Sequence, residues 1–125
     1  MYNVYSKNNT QLASVEEHVV SIFNKILDLI NDARQFHQQE KMDECFQRIH
    51  LASQLCVEMG NILSDNDQIV TLDGGKSLSL REFWSYFFED MILTMGKIKY
   101  HFDDTIYQQL IETITLITHQ WSGVT

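Results

Sequence analysis

No proline occurs anywhere in the 125 residues. Proline breaks helices because it lacks an N–H and its ring clashes with the carbonyl four residues back. A chain of this length without one is free to run in long helices, and its apolar residues recur at helical spacing. Val15, Val19, Ile22, Ile26, Ile30 and Ala33, with Phe23 and Leu29 beside them, step by three or four residues over about five turns. Ser14 and Glu17 have the spacing of a capping box, so the first helix is expected to start at Ser14. Residues 1–13 are then read as a short N-terminal arm.

The same step recurs three more times. Cys45, Ile49, Ala52, Leu55 or Cys56, Met59 and Leu63 mark a second helix after a polar turn at 37–42. Gly60 near its end signals fraying or close packing, since glycine costs about 1 kcal/mol inside a helix. Residues 64–78, with Asp73-Gly74-Gly75, break the pattern and form the longest loop. Within it 68–72 can pair as a short extended piece, although it is expected rather to lie across the bundle end. Ser79 and Glu82 form another capping box ahead of Leu80, Phe83, Trp84, Phe87, Met91, Met95 and Ile98. Asp103 or Asp104 caps a fourth helix carrying Ile106, Leu110, Thr113, Ile114, Ile117 and Trp121. The expected fold is all-α: one domain over 1–125, an antiparallel four-helix bundle over about 14–121, with the arm before it and the long loop between helices two and three.

Bulk properties narrow the function. The net charge is −8, and an acidic body repels nucleic acid and anionic membrane surfaces. No apolar run approaches membrane-spanning length, and the N-terminus lacks a basic-then-apolar signal pattern, so a cytoplasmic chain is expected. Cys45 and Cys56 lie eleven residues apart, about 16 Å along a helix, too far for a disulfide within it. They read as core residues in a reducing compartment.

The chemical readings fail one after another. The residues three before His18, His37, His50, His101 and His119 are Val15, Arg34, Gln47, Ile98 and Leu116, so the Glu-x-x-His pattern of di-iron bundles is missing. No two histidines sit three or four apart to share a zinc ion. Asp65-Asn66-Asp67 begins like a calcium loop but has Ile69 and Val70 where an oxygen ligand and a glycine belong. Gly74-Gly75-Lys76-Ser77 resembles the end of a phosphate loop, yet Val70 occupies the place of the upstream glycine. A Cys–His catalytic pair would require a cysteine lifted out of the core stripe. No metal, cofactor or enzyme activity is expected.

Apolar width is what remains. Val20 and Leu27 in helix one, Phe88 and Ile92 on one shoulder of helix three with Tyr86 and Leu93 on the other, and Ile111 in helix four widen the stripes beyond the usual helix face. One reading is a self-associating bundle, a homodimer acting as adaptor or structural protein. The other is a groove for a partner's amphipathic helix, with Val20, Phe23, Leu27, Phe88, Ile92 and Ile111 as its candidates.

The stretch Ser14-Val15-Glu16-Glu17-His18-Val19-Val20-Ser21-Ile22-Phe23-Asn24 resembles the first-helix signature of the flagellin export chaperones (the FliS family), which reads Ser-Pro-Glu-Glu-Leu and then an apolar run ending Leu-Tyr-Asp. Tyr5, Thr10, Ala33, the Ile49 to Leu63 rhythm, Phe83-Trp84-Ser85-Tyr86-Phe87 and Trp121 extend the resemblance over about residues 5–121. Val15 stands in place of the family's proline, His18 at an apolar position and Trp84 for a tyrosine, and the 64–78 loop is longer than usual. The resemblance implies a cytoplasmic helical bundle. Such a bundle binds the disordered C-terminal segment of flagellin, blocks its premature polymerisation and delivers it to the flagellar export gate. It also implies an N-terminal segment that caps the empty groove, for which Tyr2, Val4 and Tyr5 are candidates, as aromatic rings give large contact at low entropic cost.

Overall fold

The computed structural model describes residues 2–63, 69–71, 75, 77–98 and 102–123, with side chains from Glu17 onward except in the strand 69–71 and at 78, 80 and 120–123. Four helices make up the fold: α1 (Tyr2–Gln38), α2 (Met42–Leu63), α3 (Leu80–Lys97) and α4 (Asp104–Gly123). Between α2 and α3 a small antiparallel hairpin pairs β1 (Ile69–Thr71) with β2 (Ser77–Ser79).

Helix α1 starts earlier than the capping signal predicts. Its backbone is helical from Tyr2, so Ser14 lies inside the helix and the expected arm is helix instead. The stretch 2–13 holds neither proline nor glycine, and extending a helix is far easier than nucleating one. The capping and groove-covering roles of Tyr2, Val4 and Tyr5 fall on side chains outside the described residues.

The turn after α1 is tight. Lys41 N donates to Phe36 O (2.8 Å) and Glu40 N to His37 O (3.0 Å), the paired bonds of a Schellman ending. Glu40 takes the left-handed position there, with φ 61°. Helix α3 begins as its capping box predicts: the Ser79 side chain accepts from Glu82 N at 3.1 Å. At α4 it is Asp103 that caps, its Oδ1 accepting from Thr105 N at 3.0 Å. The loop between α2 and α3 takes the paired alternative of its reading and not the favoured one. Residues 69–71 pair with 77–79 in the register Ile69↔Ser79, Val70↔Leu78, Thr71↔Ser77. Gly75, at φ 83°, supplies a left-handed residue in the turn between them.

Neighbouring helices run antiparallel. The end of α1 meets the start of α4 through Arg34 and Asp104 (2.7 and 2.5 Å), and α2 meets α3 where Ser53 Oγ donates to Met95 Sδ at 3.3 Å. Helix α1 packs against both α2 and α4, and the seam between α3 and α4 is the loosest of the four. All four helices feed one core. The α2 contribution is Cys45, Ile49, Ala52, Cys56, Met59 and Leu63, as its periodicity predicts. Helix α3 is rotated relative to its reading: Trp84, Phe88, Met91, Met95 and Ile98 are buried, while Phe83 and Phe87 are only partly covered. Phe88 stacks on Phe23 with ring centroids 6.2 Å apart, and that long-range contact fixes the rotation.

Candidate functional site

The six groove candidates separate in the structure. Phe23 is 1% exposed and Phe88 4%. Both belong to the core, and Phe23 is beyond the reach of any docked partner unless the bundle rearranges. Val20, Leu27, Ile92 and Ile111 are partly buried, the last three packed against the core cluster. Phe88 and Ile92 line one groove together, which runs between α2 and α3 with a volume of about 420 Å³.

Residues outside that set complete the groove. From α2 come Val57, Gly60 and Asn61, and from α3 Arg81, Ser85, Glu89 and Leu93. Val57 is 54% exposed and Leu93 63%, so two large aliphatic side chains stand in water on opposite rims. Phe88 forms the floor. Leu93 already stands out in the sequence as a shoulder residue. Val57 carries no such signal, because it lies one residue past the core position Cys56. Gly60 is explained neither by fraying nor by close packing. It lies inside α2, and a Cβ there would meet only the Phe88 ring edge at 3.8 Å, an ordinary contact.

A second cluster sits at the other end of the bundle. His37 Nδ1 and Tyr107 Oη are 2.8 Å apart, Cys45 Sγ lies 3.3 Å from the same oxygen, and Sγ and Nδ1 are 3.7 Å apart. Sequence reasoning places His37 in a polar turn and leaves Tyr107 out of the α4 stripe, yet both are buried. It also takes a Cys–His pair to need a cysteine outside the core, whereas Cys45 meets His37 without leaving it. Burial holds the His37 pKa below its ordinary value. Burial raises Cys45, with the Tyr107 hydrogen bond opposing. Burial, then Cys45, raises Tyr107. All three are therefore neutral. Two proton orders satisfy them: the Cys45 thiol donates to Tyr107 Oη and the Tyr107 hydroxyl to His37 Nδ1, or His37 Nδ1–H donates to Tyr107 Oη and the hydroxyl to Cys45 Sγ. A neutral, fully buried thiol is not a nucleophile, and Cys56, pushed up to about 12 by burial, is less so.

Among the described residues no three His, Cys, Asp or Glu side chains gather as metal ligands, and no helix is long and apolar enough to cross a membrane. Fold and groove together define a four-helix bundle with an open apolar channel along one pair of helices. Compared with known proteins, the sequence matches no protein-family model and no curated protein.

Proposed function

We propose that the chain is a non-catalytic export chaperone. In this reading it binds the disordered C-terminal segment of flagellin as an amphipathic helix along the α2–α3 groove. It keeps that segment from polymerising early and presents it to the flagellar export gate. The observation that carries the reading is the pair of exposed aliphatic rims, Val57 and Leu93, over the buried Phe88 floor. A segment unfolded when free loses ordering entropy on binding, and an extended apolar groove offsets it. The resemblance of the helix-one and helix-three segments to flagellin export chaperones supplies the client. A reducing, cytoplasmic setting belongs to the same reading, with both cysteines buried and free.

Calorimetric titration with the C-terminal segment of flagellin from the same source tests it. One-to-one binding with a large negative heat-capacity change is the expected result. Absence of binding overturns it. The second reading is then self-association, favoured by Tyr86 and Leu93, which are 62% and 63% exposed and lie two turns apart on one outward stripe of α3. A dimer mass in light scattering is its signature.

A further inference from the structure

A cavity of about 560 Å³ opens where α1 turns into α2, lined by His37, Gln38, Glu40, Met42 and Phe102. It lies at the bundle end away from the α2–α3 groove, and three features converge on it. His37 is only 7% exposed. Its Nδ1 faces Tyr107 Oη and Cys45 Sγ in the core, and its Nε2 has no partner among the described residues, so the Nε2 edge is what the ring has left for the cavity. A buried polar nitrogen without a partner is costly. Glu40 holds φ 61°, a left-handed position that favours glycine, so a carboxylate stands on this rim at a cost in stability. Phe102, 43% exposed, sets its ring 4.8 Å from the His37 ring. The lining selects for positive charge. Its one ionised group is the Glu40 carboxylate, because burial keeps His37 neutral. Arg34, one turn before His37, is paired with Asp104, and Lys41 beside Glu40 is outweighed by Asp43 and Glu44 in the first turn of α2. The Gln38 amide oxygen, the Phe102 π face and the polarisable Met42 sulfur all suit a cation.

We propose that this cavity binds a small organic cation, a primary ammonium or guanidinium group on a short apolar stem. The N–H groups of the cation donate to the Glu40 carboxylate and to His37 Nε2, and the stem lies against Phe102 and Met42. Accepting at Nε2 places the ring proton on Nδ1, which selects one of the two proton orders: Nδ1–H to Tyr107 Oη and the hydroxyl to Cys45 Sγ. Titration with butylammonium and butylguanidinium, with 1-butanol and butyrate as controls, tests it by nitrogen NMR of the His37 ring at about pH 7.5, above the histidine range. Both cations are expected to saturate the shift and drive the ring to the Nδ1–H tautomer, and neither control should. Glu40→Gln should weaken the cations roughly three- to tenfold, and Phe102→Leu roughly threefold through the lost π face. Glu40→Gly should bind as weakly as Glu40→Gln while its unfolding midpoint rises, so the lost affinity is not a lost fold. Equal binding of 1-butanol, undiminished binding in Glu40→Gln, binding that leaves the His37 resonances in place, or no binding of either cation would each overturn the site. The α2–α3 groove proposal stands or falls separately.

Discussion

Three hydrogen-bonding side chains are buried where α1, α2 and α4 meet, and they are tolerable there because they satisfy one another. Tyr107 Oη is the hub, within hydrogen-bonding reach of His37 Nδ1 and Cys45 Sγ. Tyr107→Phe removes the hub and leaves His37 Nδ1 and Cys45 Sγ only their longer 3.7 Å contact with each other, so a loss of about 1–3 kcal/mol is expected in denaturant unfolding. The same cluster sets a pH dependence. Burial lowers the His37 pKa from its ordinary 6.5, so on acidification the unfolded chain takes up the proton before the folded one does. Stability is therefore present above about pH 6.5 and lost as pH falls toward the folded value. Arg34 one turn back and Asp104 on α4 are paired with each other, and Cys45 and Tyr107 are neutral, so burial remains the dominant cause. Unfolding midpoints measured from pH 7 down to pH 5 should fall, and should fall less in His37→Gln. A few residues on, Glu40 holds φ 61° without being glycine. Glu40→Gly relieves that strain and is expected to stabilise the protein by about 0.5–1 kcal/mol in the same assay.

Each helix reports its own balance between local signal and packing. Ser79 accepts from Glu82 N, so Ser79→Ala should cost about 1 kcal/mol of thermal or denaturant stability. Gly96, in contrast, has nothing within 4 Å of a built Cβ, and Gly96→Ala should gain up to about 1 kcal/mol. The Ser79 cap, the α4 cap as far as the choice between Asp103 and Asp104, and the narrow α2 stripe were legible, but cap spacing alone does not suffice, because Ser14 and Glu17 share it and lie inside α1. Helix α3 was not, because Phe83, Trp84, Phe87 and Phe88 spread aromatic surface over an arc of about 140°, wider than the face the core can cover. Hydrophobicity alone then fixes no rotation, and the stacking of Phe88 on Phe23 decides it. Tyr107 and His37 were missed for the opposite reason: their polar atoms suggest a surface, and only a partner 70 residues away makes burial affordable. The groove was half legible. Phe88 and Ile92 were candidates, but Val57 and Gly60 become wall residues only once α2 is laid beside α3.

At the scale of the whole molecule, the question is whether an apolar residue serves the core or the groove, and a charge placed at each distinguishes the two. Leu27 is partly buried and packs against the core cluster. Leu27→Asp sets a carboxylate against apolar neighbours and should cost about 2–3 kcal/mol of stability. Any weakening of client binding would follow from that loss. Leu93 is 63% exposed on the rim, where a carboxylate stays hydrated. Leu93→Asp should leave stability within about 0.5 kcal/mol of the parent. On the proposed chaperone reading its effect on the flagellin segment should be direct, because a leucine buried by a partner contributes about 1.5–3 kcal/mol, which corresponds to roughly ten- to a hundredfold in affinity. Urea unfolding and calorimetry on both variants separate the two roles. A stable Leu93→Asp protein that binds the flagellin segment as tightly as the parent would remove α3 from the client site. A stable Leu27→Asp protein that fails to bind would return the site to α1, where the helix-one stripe first suggested it.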